Sequence, residues 1–282
     1  MIVPALSHDA LLADIRNAGC DLGELHLWWL GQSGFLVKSQ GRYLLFDPYL
    51  SDSLTKKYAT TDKPHVRMTE LAVDPARLDF IDVVTSSHNH TDHLDGETLI
   101  PLVAANPNMT IVVPAANREF AAERLRIPVE WLTEIDDGAS ISSLDFTIHA
   151  VPAAHETIER DEQGRCRFLG YVAQIGEWTI YHSGDTLLYD RMQDRLRKWR
   201  IDVAILPING RVPERRVAGN LWGREAAQLA KDIRARCVIP CHYDMFEFNT
   251  ASPDDFVDEC SRLEQAHRVL QCGERFTFAS TA

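Results

Sequence analysis

The segment Ser87-His88-Asn89-His90-Thr91-Asp92-His93 packs His88, His90, Asp92 and His93 into one short stretch. His88 and His90 are two apart, so in an extended chain their imidazoles leave the same side. Asp92 and His93 follow, just before a predicted helix, where the chain can turn them toward a neighbouring position. One loop can thereby feed two adjacent metal sites. Neutral imidazole and carboxylate suit Zn²⁺, Mn²⁺ or Fe²⁺.

That loop alone leaves the coordination incomplete. In α/β folds ligands gather beyond the carboxyl ends of strands. His155 follows the apolar run 146–151, Asp185 follows 178–184, and His242 follows 237–241. Cys241 stands beside His242, but backbone alternation turns it away from a ligand direction. His182, three residues before Asp185, is a candidate for holding a ligand or relaying a proton.

The elements that must position these residues can be read from periodicity. Residues 7–18 suggest a helix with Ser7 as its N-cap. Short apolar runs at 25–30, 35–38 and 43–46, separated by glycine turns, suggest strands. Further strands are expected at 81–87, 110–113, 145–151, 169–175 and 178–182. Helices are expected at 97–105 and 117–126, the latter capped by Asn117. The last third alternates: helix 189–199, strand 203–206, helix 224–234, strand 238–240, helix 254–265, then strands 269–271 and 276–278. This order suggests two packed sheets with helices outside, a four-layer αββα sandwich of the α/β class. No repeat or linker divides residues 1–282, so one domain is expected. Trp28 and Trp29 should pack on opposite faces of the first sheet. The turn Gly31-Gln32-Ser33-Gly34 lacks the GKS/T ending of a phosphate-binding loop and joins two strands.

Composition narrows the function. The chain has 282 residues, 45% hydrophobic and 25% charged, a globular balance. Lys+Arg is 29 against 41 for Asp+Glu, a net charge of −12, which speaks against a nucleic-acid partner. No apolar run reaches the roughly 18 residues of a membrane span, and no signal peptide is read. The six cysteines form no CxxC pair and suggest reduced thiols in a cytoplasmic protein.

The set H88-N-H-T-D-H93, Y181-H-S-G-D-T186 and I239-P-C-H242, with F46-D-P48 upstream, resembles the metallo-β-lactamase superfamily. The resemblance implies His88, His90 and His155 on one divalent ion. It implies Asp92, His93 and His242 on a second, with Asp185 bridging and Asp47 orienting the ligand loop. A closer similarity is to the L-ascorbate-6-phosphate lactonase branch, through Trp28–Gly34, Ile201–Ala204 and Val238–Asp244. The chain departs from that branch by being shorter between Asp47 and Ile81. It also departs at His155, where the branch has no histidine; the extra imidazole favours a complete two-metal set.

The resulting expectation is a metal-dependent hydrolase with two Zn²⁺ or Mn²⁺ ions. Asp92, Asp185 and His182 are its candidate catalytic residues. Two such ions lower the pKa of a shared water toward neutrality and polarise the substrate oxygen, so no serine or cysteine nucleophile is needed. The first substrate candidate is a sugar-phosphate lactone; the alternative is a small phosphodiester or nucleotide. A non-catalytic metal-binding protein is the remote third reading. A flavo-diiron oxidoreductase is disfavoured by His90, which stands where that group has Glu, and by the lack of a flavin domain. Two loops carry cations for a small anionic substrate: 51–68, with Lys56, Lys57, Lys63 and Arg67, and 209–222, with Arg211, Arg215 and Arg216. Arg211 is the expected anion anchor, with Asn209 and Tyr243 as further substrate contacts. The lactonase resemblance also implies a homo-oligomer.

Overall fold

In the computed structural model, which describes residues 1–279, the chain builds two facing sheets. The last three residues of the expected domain lie outside the described residues. Strands β1 (Glu24–Trp29), β2 (Phe35–Ser39), β3 (Arg42–Phe46), β4 (Val83–Thr85), β5 (Thr110–Pro114) and β6 (Leu132–Ile135) belong to the first sheet. Strands β7 (Ser140–Ser143), β8 (Phe146–Pro152), β9 (Leu169–Ile175), β10 (Trp178–His182), β11 (Val203–Pro207) and β12 (Cys237–Cys241) form the second. The last strand, β13 (Arg275–Ala279), returns to the first sheet beside β1.

The sheet orders are β13-β1-β2-β3-β4-β5-β6 and β12-β11-β10-β9-β8-β7. In the first, β13 through β3 pair antiparallel and β3 through β6 parallel. The second repeats the mixture, with β10, β11 and β12 parallel and β7 through β10 antiparallel. Parallel strands need cover on both faces, which explains why β4, β11 and β12 are continuous apolar runs. That cover is helical. Helices α1 (His8–Asn17), α2 (Ser53–Tyr58), α3 (Gly96–Ala105), α4 (Arg118–Leu125), α5 (Met192–Leu196), α6 (Gly223–Asp232) and α7 (Asp254–Arg262) follow in chain order. Helix α4 packs on β5 and β6, while α6 packs on β11, β12 and α7.

The two tryptophans of β1 show the layering directly. Trp28 is fully buried and donates its indole N–H to Asp14 of α1, 2.8 Å away. Trp29 faces the other way and stacks on Tyr243, with ring centroids 4.4 Å apart. Lys38 of β2 is also buried, its ammonium bonded to the carbonyls of Ile15 and Ala18 at the C-terminal end of α1. Such a cation completes orphan carbonyls and opposes the helix dipole.

Several expectations change. Ser7 and Asn117 occupy cap positions without a side-chain capping bond. Asn117 donates instead to the carbonyl of Arg167. The expected helix 189–199 shrinks to α5, because Arg191 takes a left-handed backbone (φ 61°) at its start. Residues 269–271 form no strand; the nearby pairing is an isolated bridge between Val238 and His267. Helix α2 and strands β6 and β7 carry too few apolar residues to stand out by pattern. Strand β7, Ser-Ile-Ser-Ser, is a polar edge.

Candidate metal centre

The candidate ligands meet at one edge of the sandwich, beyond the ends of four strands. The loop after β4 supplies His88, His90, Asp92 and His93; the segment after β8 supplies His155. The turns after β10 and β12 supply Asp185 and His242. His88, His90 and His155 offer nitrogens within 4.8 Å of one another, and so do the ligand atoms of Asp92, His93 and His242.

Asp185 lies between the two groups. Its Oδ1 is 3.3 Å from His93 Nε2, and its Oδ2 is 3.5 Å from His155 Nε2 and 3.4 Å from His242 Nε2. Asp92 Oδ2 is 3.7 Å from His93 Nε2 and 3.6 Å from His242 Nε2. The close approach depends on Gly184, whose φ of +59° is left-handed. A Cβ there would fall 2.7 Å from Ser87 Cβ and 2.8 Å from the Leu169 carbonyl. Thr186, next to Asp185, accepts the Ala154 N–H through its hydroxyl, tying the Asp185 turn to the His155 segment.

Three of the imidazoles are oriented from behind. His93 Nδ1–H donates to Asp47 Oδ2 at 2.7 Å, leaving Nε2 toward Asp185. Asp47 also accepts the Ser87 N–H at 2.9 Å and the Ser87 hydroxyl. Ser87 Oγ lies 2.9 Å from His88 Nδ1, so the same pair steers both histidines. His155 Nδ1–H donates to the Gly219 carbonyl at 2.9 Å. These contacts fix tautomer and ring direction, the usual arrangement behind metal-ligating histidines.

The cluster calls for positive charge. His88 Nε2, His93 Nε2 and Asp185 Oδ1 are buried without a hydrogen-bond partner. Burial opposes ionisation of Asp92 and Asp185, but His93 and His242 outweigh it and hold both carboxyls well below the usual range. Burial likewise opposes protonation of His242, yet Asp185 and Asp92 lift it to about 9. The same carboxylates raise His93. Imidazolium protons thus neutralise the buried Asp185 and the partly buried Asp92 carboxylates, the role divalent ions take over when ligands deprotonate. The residues fit such ions in number, donor type and orientation.

A cavity of about 510 Å³ opens over the cluster, lined by His90, Asp92, His155, Asp185 and His242. Tyr58, His65, Phe246 and Phe248, with Leu54, give it a largely aromatic wall, while Lys57 and Arg124 bring cations to its lining. His65 is sandwiched in that wall, stacked 4.2 Å from Tyr58 and edge-on to Phe248 at 4.4 Å. Arg124 donates to the carbonyls of Asn89 and Leu94 and lies over Phe120. Asn220 and Asn249 complete the polar side.

Four expected site residues sit elsewhere. Arg211 does not line the cavity; it makes a two-pronged ion pair with Glu225, both bonds 2.7 Å, which occupies its guanidinium away from the cluster. Asn209 stands one layer behind, donating to Asn249 and accepting from Asn220. Tyr243 is buried, with its hydroxyl on the Leu270 carbonyl. His182 is buried too; it donates to the Ser33 carbonyl at 2.8 Å and stacks on Phe46. It braces the strand ends, with its Nδ1 accepting the Gly184 N–H at 3.2 Å, and does not line the cavity. Cys241 points to Ser33, away from the ligands, and burial pushes its thiol up. All six cysteines are unpaired. No helix among the described residues is long and apolar enough to cross a membrane.

Two mixed sheets between helices, with a histidine–aspartate cluster at one edge, are the architecture of the metallo-β-lactamase fold. Residues 42–243 match the beta-lactamase superfamily domain, and the chain belongs to that superfamily. A UPF0173 metal-dependent hydrolase from Caldivirga maquilingensis is 29% identical, over 86% of this chain and 93% of the relative. Among solved structures, Igni18, a metallo hydrolase from Ignicoccus hospitalis, superposes with a TM-score of 0.66 at 21% identity. The match covers 90% of this chain and 98% of that one. The metallo-β-lactamase fold protein YhfI of Bacillus subtilis matches with a TM-score of 0.64 at 18% identity, over 91% of this chain and 100% of that one.

Proposed function

We propose that the protein uses two divalent ions to hydrolyse a small anionic substrate, a sugar-phosphate lactone being the first candidate. The observation that carries this reading is Asp185, whose two oxygens face both ligand groups on the lining of a cavity that also holds cations. His88, His90 and His155 would hold one ion, Asp92, His93 and His242 the other, with Asp185 shared. Zn²⁺ or Mn²⁺ bound there supplies Lewis acidity and a water acidic enough to ionise near neutral pH.

The chain's own residues do the rest. Asp185, fixed by the Gly184 turn, orients the attacking water between the two groups. Asp92 holds His242 and His93 in register. The wall of Tyr58, Phe246 and Phe248 excludes bulk solvent and strengthens every charge interaction inside. Lys57 is exposed at the rim, 3.5 Å from Thr91 Oγ1 and with its ammonium 5.1 Å from the Tyr58 ring centroid, and makes no ion pair among the described residues, which leaves its charge to meet a phosphate. Arg124 presents the second cation. The cavity volume suits a phosphorylated sugar. The net charge of −12 and the unpaired cysteines support a small-molecule enzyme of the cytoplasm.

The test is the initial hydrolysis rate of a phosphorylated sugar lactone by Mn²⁺- or Zn²⁺-reconstituted protein, with His88→Ala as the blank. Fast turnover that vanishes in the variant supports the reading. Turnover of a phosphodiester instead would keep the centre and reassign the substrate. No metal-dependent hydrolysis of either class would overturn it.

A further inference from the structure

The turn Gly31-Gln32-Ser33-Gly34 joins β1 to β2, a task that needs no buried amide. Gln32 is nevertheless fully buried, at 0% exposure. Its side-chain nitrogen lies 2.8 Å from Asp92 Oδ2 and 3.0 Å from His242 Nε2. The oxygen it meets is the one Asp92 turns toward His93 and His242. Its own Oε1 has no partner.

The turn is built to hold this side chain in place. Gln32 has a left-handed backbone, φ 51°, next to Gly31 at φ 95°. Its carbonyl accepts two bonds, from the Trp29 indole at 2.9 Å and from the His242 backbone N–H at 3.0 Å. His182 clamps the neighbouring Ser33 carbonyl. Leaving Gln32 Oε1 unpaired in the interior costs stability, and packing alone gives no reason for that cost.

We propose that Gln32 is a positioning residue of the metal centre: it donates to Asp92 Oδ2 and sets where Asp92 and His242 converge. The proposal rests on the two-metal reading above. The chemistry favours an amide at this point. It donates a hydrogen bond without adding a positive charge that would compete with a cation. An apolar side chain would let the half-buried Asp92 carboxylate rotate. A lysine or arginine would pair with it and block the ion.

The experiment is a competitive chelator titration of metal-free protein with Zn²⁺, scored as two binding steps. Gln32→Asn tolerates the left-handed backbone but is one methylene too short to reach Asp92. Gln32→Met keeps the length and removes the donor. The expected result is one step unchanged, from the three-histidine group, and the other weakened about 10- to 100-fold in both variants. Hydrolytic activity should then recover as metal is raised, which a purely structural defect would not allow. Two steps at wild-type affinity in Gln32→Asn, or equal loss of both, would overturn the proposal. A wild-type protein that takes up a single ion would overturn the two-metal reading itself, a failure visible without any variant.

Discussion

Asp47 Oδ2 and His93 Nδ1 lie 2.7 Å apart, and both side chains are wholly shielded from solvent. The two residues are 46 positions apart in sequence. The bond places the proton on Nδ1 and leaves Nε2 facing Asp185, so a residue outside the two proposed ligand sets decides what His93 can do. Asp47→Asn keeps the shape and removes the charge. Metal affinity of the Asp92–His93–His242 group should fall about 10- to 100-fold while the fold survives. Isothermal titration with Zn²⁺ reads this directly; unchanged affinity would remove Asp47 from the centre.

Metal removal should change how stability responds to pH. In metal-free protein His242 is raised to about 9 by Asp185 and Asp92 against the opposing effect of burial. A raised folded-state pKa stabilises most below the unfolded value near 6.5 and loses that contribution as pH climbs through about 9. The melting midpoint of chelated protein should therefore fall between pH 6.5 and 9. Reloading with Zn²⁺ should flatten the decline, because the ion replaces the proton. Saturating metal at about 100 Kd adds roughly 2.7 kcal/mol. A flat profile for the metal-free protein would count against the charge balance inferred for the cluster.

Arg211 and Lys57 make a contrasting pair. The guanidinium of Arg211 is tied to Glu225 with both partners partly exposed, an arrangement worth about 0–1 kcal/mol. Arg211→Met should leave kcat and KM near wild type. Lys57→Met should raise KM for an anionic substrate about tenfold, with kcat little changed. Steady-state kinetics on both variants decide it, and the reverse pattern would return the anchor to the 209–222 loop.

Gly184→Ala addresses the backbone. The new methyl would collide with Ser87 Cβ and the Leu169 carbonyl, at a φ that side chains avoid. A loss of about 1–3 kcal/mol or more is expected, together with displacement of Asp185. Denaturant unfolding and metal content measure the two parts; a wild-type midpoint would show that the loop relaxes freely.

Much of the scaffold is legible in the residues themselves. Strands β9 and β10 carry runs apolar enough to mark their own ends, and most others fall within a residue or two. The polar strand β7 and the short helix α2 are not legible, because their pairing and packing partners, not their own composition, hold them in place. Residues 269–271 mislead for the converse reason: they are apolar enough for a strand but run as irregular chain, lending the Leu270 carbonyl to Tyr243.

The sequence by itself determined the ligand types and the strand ends from which they come. H-x-H-x-D-H is a local pattern, and alternation sets which side chains leave together. Only the tertiary structure decided what surrounds them. Arg211 became unavailable because the start of α6 brings Glu225 to it. The cavity received Lys57 from the 51–68 loop and Arg124 from α4. Gln32 reached Asp92 across 60 residues and His242 across 210. Such contacts depend on how the two sheets close on one another, and a hydrogen-bond partner that arrives from a distant segment leaves no period or spacing to read.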